Sequence, residues 1–208
     1  MGDIIFFIVL ALLIALSLIF IFKDDLKSIK FGFFKNITIK KYVKRIAVDH
    51  DFLYMSNIVI RVNQSKDTHI DNILITNKNI YIIKNVFWKG ILRGKEADEK
   101  WFLKDNNGLN YVDNPLNLNH LRIKILSANI EVPLDHFQNV IFYGDSLDVY
   151  ELDINNSNSL FVNYKKFEKK LMEIEKNTPD CFNDQEIEKI AQLIYDKSQT
   201  SLSHRRGK

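Results

Sequence analysis

The chain has 208 residues, 46% of them hydrophobic, and carries 29 Lys and Arg against 26 Asp and Glu. This length accommodates one ordinary domain with short additions, and so small a positive excess does not by itself indicate a nucleic-acid-binding protein. The single cysteine, Cys181, excludes an intramolecular disulfide, and without a Cys/His cluster the sequence offers no zinc site of the usual spacing.

The first predicted element is a transmembrane helix. Residues 4–22, IIFFIVLALLIALSLIFIF, are apolar apart from Ser17. At about 1.5 Å per residue, a helix of this length can cross a hydrocarbon core of about 30 Å. A cleaved signal peptide would require a basic start, a shorter apolar run and a small-residue cleavage site, and the segment shows none of these. We therefore predict an uncleaved anchor over residues 1–23.

The flanks of this segment predict its orientation. No Lys or Arg precedes it, whereas many follow it: Lys23, Lys27, Lys30, Lys35, Lys40, Lys41, Lys44 and Arg45. By the positive-inside rule the rest of the chain lies in the cytoplasm, which predicts a single-pass protein of the cell membrane. We interpret residues 24–36 as a basic juxtamembrane linker in contact with anionic lipid headgroups. Contact with nucleic-acid phosphates is the alternative.

The following residues alternate between helical and strand patterns. Residues 36–49 are predicted to form a helix, because their apolar side chains recur at helical spacing. The polar sequence TNKN at 76–79 is typical of a hairpin turn. This turn joins the strand at 68–75 to the strand that begins after residue 79. The other predicted strands lie at 54–63, at 90–94, around 101–103, and at 137–144, 148–152 and 159–163.

The remaining helices carry start signals. Asn114 is a predicted N-cap and Pro115 occupies the first helical position, with Leu118, Leu121 and Ile125 as the predicted buried stripe. Residues 164–177 and 183–198 are amphipathic, and the second of these segments opens with a capping-box pattern. Residues 198–208 have one apolar side chain and are predicted to form a disordered basic tail.

The order of these elements resembles the nuclease-related domain, NERD, whose fold belongs with the restriction-endonuclease-like PD-(D/E)xK nucleases. The family's Q-I-D-like triplet is matched by HID at residues 69–71, which ends in Asp71. The second hairpin strand of the family, G-I-F-V-I-E-T-K-N-W-x-G, is matched by NIYIIKNVFWKG at 79–90. In that register Trp88 and Gly90 fall on the family's aromatic residue and glycine.

A third motif extends the resemblance. The family's N-P-L-x-Q-N element is matched by NPLNLN at residues 114–119, which contains Asn114 and Pro115. The resemblance runs from about residue 37 to 195. It implies an α/β domain over residues 37–197, with a mixed central β-sheet flanked by helices and preceded by the transmembrane helix.

The catalytic positions of the family are altered in this chain. In such nucleases, carboxylates of the two strands hold Mg²⁺ and a nearby lysine assists. The resemblance places Asp71 at the first carboxylate, but Lys84 stands at the glutamate position and Val86 at the lysine position. An ammonium cannot ligate Mg²⁺, so Asp71 would be the one remaining metal ligand. No cofactor is expected, except under a rearranged active site.

Other polar positions depart from the family as well. Leu118 replaces the glutamine of the N-P-L-x-Q-N element, and Thr38, Ile39 and Lys40 stand where the first helix often has an acid. A rearranged D-x-K pattern is formed by Asp98 and Lys100 within EADEK. It lies in a charged connection, whereas a metal site requires ligands held on rigid elements.

Asp71 and Lys84 are predicted to pair with each other. If the turn is centred on Lys78, Asp71 faces Lys84 or Asn85 across the hairpin. Burying either charge alone would cost several kcal/mol, which favours the pair. We therefore predict that the Lys84 ammonium occupies roughly the space that a metal ion uses in an active relative.

Three functions remain open from the sequence. The favoured one is a membrane-anchored NERD protein whose nuclease-like domain is inactive and acts in binding or scaffolding, with DNA as a candidate partner. The second is an active Mg²⁺-dependent nuclease with a rearranged site. The third is a membrane-tethered domain that binds proteins on the cytoplasmic side and does not contact nucleic acid.

Overall fold

Helices and strands follow one another largely in the predicted order. The computed structural model describes residues 23–62 and 67–206, which form four α-helices and nine β-strands. The helices are α1 (Lys23–Asp49), α2 (Pro115–Ile130), α3 (Phe167–Asn177) and α4 (Asp184–Arg206). The strands are β1 (Leu53–Arg61), β2 (Asp67–Ile75), β3 (Ile80–Asn85), β4 (Gly90–Lys95), β5 (Lys100–Asp105), β6 (Gly108–Asp113), β7 (Phe137–Tyr143), β8 (Leu147–Asp153) and β9 (Ser159–Asn163).

The larger sheet is mixed, with the strand order β1-β2-β3-β7-β9. Strands β1, β2 and β3 are antiparallel neighbours, whereas β3, β7 and β9 run parallel. Nearly every residue of β3 and β7 is buried. This matches their continuous apolar sequences, because central strands covered on both faces lose the alternation of polar and apolar residues. The α/β class with a mixed sheet flanked by helices is confirmed.

Helices cover both faces of this sheet. Ile80 and Ile82 of β3 belong to a core cluster that includes residues of α2 and α4. Tyr81 points to the opposite face, because side chains alternate along a strand. There it contacts Phe167 of α3, with the two ring centroids 6.2 Å apart.

A second sheet, which the sequence does not predict, has the order β6-β5-β4-β8. Strands β4, β5 and β6 form an antiparallel meander, and β8 adds parallel to β4. Strand β6, GLNYVD, is largely exposed at the edge of this sheet. It therefore lacks the apolar pattern by which a strand is found in sequence.

The buried face of α2 differs from the predicted one. Leu118 and Leu121 are 48% and 55% exposed, so the predicted stripe is wrong at these two positions, whereas Ile125 is partly buried against the core. The buried residues share another helical stripe, which is Leu116, Asn119, Ile123, Leu126 and Ile130. Asn119 can be buried because its side-chain amide donates to the Ile82 carbonyl at 2.8 Å and to Asn139 Oδ1 at 2.9 Å. The buried face of α2 thus contains the polar residue Asn119, and two leucines lie outside it.

Two helices extend beyond the bounds predicted for the α/β domain. Residues 24–36, predicted as a linker, belong to α1, and α4 continues to Arg206 through most of the predicted disordered tail. Ser198 and Ser201 of α4 are buried, and the Val59 N–H of β1 donates to Ser198 Oγ at 3.2 Å. Because β1 is an edge strand, this helix satisfies backbone groups that would otherwise lack a partner.

The predicted membrane anchor lies outside the described residues, which begin at Lys23. Among the helices of residues 23–62 and 67–206, none is long and apolar enough to cross a membrane. The residues of the candidate site belong to one compact unit that begins at Lys40.

Candidate functional site

The β2–β3 hairpin brings Asp71 and Lys84 together. Its turn is closed by Thr76, whose hydroxyl accepts from the backbone N–H groups of Lys78 and Asn79 at 3.1 Å and 2.9 Å. Ile75 pairs with Ile80, and the ladder continues outward to the pair of Asn72 and Ile83. The same register sets Asp71 against Lys84.

Asp71 and Lys84 form an ion pair. The Lys84 ammonium donates to Asp71 Oδ2 at 2.8 Å, which confirms the predicted contact. The Asp71 side chain is 29% exposed and the Lys84 side chain is 33% exposed. The pair is therefore less buried than the sequence suggests, and solvent reduces its contribution to stability from several kcal/mol to about 1 kcal/mol.

This exposure predicts a modest effect of Lys84→Ala. We expect the free energy of unfolding to fall by about 1 kcal/mol, because Asp71 keeps part of its hydration after losing the ammonium. For a chain of this size the thermal midpoint should fall by about 2–4 °C, measured by circular dichroism of the full chain in detergent. The control Lys165→Ala removes an ion pair with Asp145 whose side chains are 58% and 61% exposed, and should leave the midpoint unchanged. Equal midpoints for the two variants would contradict the assigned role of the pair.

A cleft of about 430 Å³ opens beside Lys84. Val86 and Trp88 continue its wall along the chain after β3, and Pro115 and Leu118 contribute from the first turns of α2. The remaining lining residues are Tyr111, Val112, Asp113 and Arg122. Motif positions from two separate stretches of sequence, residues 84–88 and 115–118, therefore meet at one concave surface.

Arg122 is the cleft residue that the sequence did not indicate. Its Nε donates to the His69 carbonyl of β2 at 2.9 Å. Its Nη1 atom is buried and has no hydrogen-bond partner among the described residues. A buried guanidinium N–H without a partner is unusual, and a guanidinium has five N–H groups in all with which to donate. The signal in the sequence was its spacing from Pro115 and Leu118, which puts all three residues on one face of α2.

The residues at this site do not fit a Mg²⁺ ion. Such an ion requires oxygen ligands in near-octahedral geometry. Asp71 is bound by an ammonium, Val86 has no ligand atom, and Asp113 is the one carboxylate that lines the cleft. Across residues 23–62 and 67–206, no group of three or more His, Cys, Asp or Glu could hold a metal ion.

Asp98 of the alternative D-x-K pattern has a local structural contact. Its carboxylate accepts from the Lys95 N–H at 2.8 Å, in the turn between β4 and β5. Its backbone carbonyl accepts from the side-chain amide of Asn114 at 2.8 Å. Lys100 follows at an exposed position of β5. The structure thus places Asp98 in a tight turn, and it does not line the Lys84 cleft.

The remaining motif residues have local structural contacts, and two of them, Trp88 and Pro115, also line the cleft. Asn114 caps α2, since its Oδ1 accepts from the Leu116 N–H at 2.9 Å, and Pro115 stands in the first turn as predicted. Gly90 has a φ of +110°, a conformation that favours glycine. Trp88 packs on the apolar cluster around the second sheet while one side of it faces the cleft.

Comparison with known proteins agrees with this arrangement. The family model described as nuclease-related domain, NERD, matches residues 31–144, just over half of the chain. The match covers both hairpin strands and α2, and it ends before β8, β9, α3 and α4. No curated protein and no solved structure gives a significant match. The hairpin, the capped helix and the cleft between them lie within the matched segment, and the chain belongs to the nuclease-related domain family.

Proposed function

We propose that this protein is a NERD protein without Mg²⁺-dependent nuclease activity, which binds nucleic acid through the cleft beside Lys84. The observation that carries the proposal is the contact of 2.8 Å between the Lys84 ammonium and Asp71. By the resemblance, Lys84 stands at the position of the family's second carboxylate, so we take its ammonium to occupy roughly the space of a metal ion. The proposed protein binds nucleic acid and does not cleave it.

The neighbouring residues support the lack of hydrolysis. A phosphodiester is attacked by a water molecule that a metal ion or a base must activate, and the charge that develops on the phosphate must be stabilised. Val86, at the family's lysine position, can do neither. Asp71 accepts a hydrogen bond from Lys84, so its carboxylate is already bound to an ammonium before any substrate arrives.

The composition of the cleft supports a phosphate-containing ligand. Lys84 has three N–H donors and gives one of them to Asp71. Arg122 also lines the cleft, and Arg and Lys are the usual donors to phosphate oxygens. Trp88 and Tyr111 add aromatic surface to the same walls. Such a cleft can hold a phosphate group and, beside it, a base or sugar.

We also propose that the protein is tethered at the cytoplasmic face of the cell membrane. The support is the apolar segment at residues 4–22 and the lysines that follow it. A tether of this kind would restrict the domain to nucleic acid that comes close to the membrane. The domain would then act as a binding or scaffolding module at that surface.

A combined binding and cleavage experiment tests the function. The full chain in detergent is incubated with fluorescein-labelled duplex DNA and either Mg²⁺ or Mn²⁺. We expect no cleavage, and an affinity that falls steeply with salt because phosphate contacts release counterions. Arg122→Gln should weaken binding and reduce the salt slope by about one. The control Lys170→Gln changes an exposed lysine of α3 and should bind as the wild type does.

Two results would overturn this function in different ways. Metal-dependent cleavage that disappears in Asp71→Asn would establish an active nuclease with a rearranged site. Absence of salt-dependent binding, with the protein folded by circular dichroism, would favour the domain that binds only proteins. In the first case, the Arg122→Gln comparison identifies whether the cleft takes part.

A further inference from the structure

The four-stranded sheet has an exposed face that combines aromatic rings with cations. Along β5, Trp101 and Leu103 are buried, whereas the alternating residues Lys100, Phe102 and Lys104 are exposed. The strand register brings Arg93 of β4 and Tyr111 of β6 to either side of Phe102. We call this surface, made of Arg93, Lys100, Phe102, Lys104, Tyr111 and Tyr150, the outer face.

The aromatic side chains of the outer face are accessible. Phe102 and Tyr111 are 39% and 65% exposed, and their ring centroids lie 4.7 Å apart. Tyr150, which is 52% exposed, carries the Arg93 guanidinium over its ring at 4.9 Å. Large exposed aromatic residues grouped on one face of a sheet mark an interaction surface.

Cations stand directly beside the central ring pair. Lys100 and Lys104 lie two residues to either side of Phe102, on the same face of β5. Neither ammonium forms an ion pair with a carboxylate of the described part of the chain. Lys104 has Ile91 and Leu109 opposite it, so no acid is paired with it in the sheet, whereas Lys100 stands opposite Asp113. The Lys104 ammonium is therefore the more available of the two to an anionic partner.

The outer face is continuous with the cleft of the proposed site. Tyr111 belongs to the outer face and also lines the cleft beside Lys84 and Arg122. A chain-like ligand that places a phosphate in the cleft can therefore continue over Tyr111 onto Phe102. An isolated small molecule would not use both surfaces.

We infer that the outer face binds single-stranded nucleic acid, with bases stacked on Phe102 and Tyr111 and phosphates beside Lys100 and Lys104. Arg93 borders this surface with its guanidinium 3.9 Å from the Glu151 carboxylate. Exposed rings on a sheet stack with bases that are free of pairing, and a duplex does not offer such bases. Lysines are depleted in protein interfaces, so a nucleic acid fits this surface better than a protein does. The inference rests on the proposed function and extends it by naming the strandedness of the ligand.

Affinity measurements on matched oligonucleotides test the inference. The full chain in detergent is titrated into a fluorescein-labelled oligothymidylate and into a blunt duplex of the same length, and fluorescence anisotropy is recorded. We expect Phe102→Ala to weaken single-strand binding about tenfold, as for loss of one stacked base, and to leave duplex binding unchanged. Phe102→Tyr should retain the affinity, because its ring also stacks.

Two further variants complete the design. Lys104→Gln should weaken single-strand binding and reduce its salt slope by about 0.7, the value for one phosphate contact on a single strand. The control Tyr195→Ala removes an aromatic ring of α4 that is 50% exposed and lies off the outer face, and it should bind as the wild type does. Thermal unfolding of each variant establishes that the fold is retained.

The outcomes separate this inference from the proposed function. If Phe102→Ala and Lys104→Gln both bind the single strand normally while Arg122→Gln binds it weakly, the inference is overturned and the function of the cleft stands. Duplex binding without single-strand binding would also overturn the inference and leave the function of the cleft intact. If the wild type binds neither oligonucleotide, the proposed function fails together with the inference. Loss of self-association in Phe102→Ala, with unchanged single-strand affinity, would make the outer face a protein interface.

Discussion

Gly90→Ala is expected to destabilise the domain by about 3–5 kcal/mol and to lower the thermal midpoint by roughly 10 °C. Gly90 opens β4 with a φ of +110°. A Cβ atom at this position would lie 2.1 Å from the Lys104 carbonyl oxygen and 2.9 Å from its carbonyl carbon. The substitution therefore adds a steric clash with the backbone to the conformational strain.

The surrounding backbone has little freedom to relieve that clash. Lys104 pairs with Ile91 in the β4–β5 ladder, next to Gly90. From the other side, the Gly90 N–H donates to the Ser146 carbonyl at 3.0 Å. Because β4 lies between β5 and β8, moving it away from β5 would push Gly90 against Leu147, its partner in β8. The glycine that the family motif retains is required by a close approach of two strands.

Gly108→Ala provides the matched control. Gly108 has a similar φ of +117°, but a Cβ atom there would meet no heavy atom within 4 Å. The Gly108→Ala variant should therefore lose stability only through backbone strain, by about 1–2 kcal/mol. The two variants are compared by thermal unfolding of the full chain in detergent. Equal losses would show that strain, and not the clash with Lys104, accounts for the need for glycine at position 90.

Glu175→Ala is expected to cost about 3 kcal/mol of stability, a loss of roughly 6–12 °C in the thermal midpoint. Glu175 of α3 is only 7% exposed. Its Oε1 accepts from the Tyr81 hydroxyl at 2.5 Å and from the Asn79 side-chain amide at 3.2 Å. The variant leaves both buried donors without this acceptor, and such donors are costly when unsatisfied.

The protonation state of Tyr81 favours this arrangement. Burial raises the pKa of Tyr81 above its ordinary value, and the hydrogen bond to the Glu175 carboxylate raises that pKa further. The hydroxyl therefore stays protonated and donates to Glu175 throughout the neutral range. Tyr81→Phe should cost about 1–2 kcal/mol, since it removes one hydrogen bond from the carboxylate. The loss in the double variant should be smaller than the sum of the two single losses, because both act on one contact.

Glu173→Ala is the control for Glu175→Ala. Glu173 lies half a turn away on α3 and forms an exposed ion pair with Lys170, whose side chain is 52% exposed. We expect its midpoint to equal that of the wild type, because solvent screens exposed pairs. A loss for Glu175→Ala no larger than that for Glu173→Ala would contradict the role of the buried carboxylate.

The Glu175 contacts also bear on the candidate site. The Lys78 ammonium donates to the Glu175 backbone carbonyl at 2.5 Å, so α3 holds the turn of the β2–β3 hairpin by backbone and side chain together. The register of that hairpin sets Asp71 against Lys84. A change in the turn would therefore also alter the positions of Asp71 and Lys84 at the other end of the hairpin. For this reason we expect the Glu175→Ala variant to bind nucleic acid more weakly as well.

Local patterns in the sequence were enough to predict most elements. The N-cap by Asn114 and the capping box of Asn183 and Glu186 are both present, with the Asn183 N–H donating to Glu186 Oε2 at 2.8 Å. The TNKN turn predicted a register that differs from the observed one by no more than one residue, and hence the Asp71–Lys84 contact. These features depend on residues close in sequence or on opposite strands of one hairpin, so their physical causes are visible in the sequence.

Non-local contacts account for what could not be predicted. The sequence by itself determined the α/β class, the hairpin and the family, because periodicity, turn chemistry and motif order are local properties. Only the tertiary structure decided that Asn119 is buried while Leu118 faces a cleft, since the Ile82 carbonyl and Asn139 come from distant strands. Likewise, Arg122 joins the site because α2 packs beside β2, and the outer face exists because β5 pairs with β4 and β6. The physical reason is that burial and site geometry depend on which elements pack together.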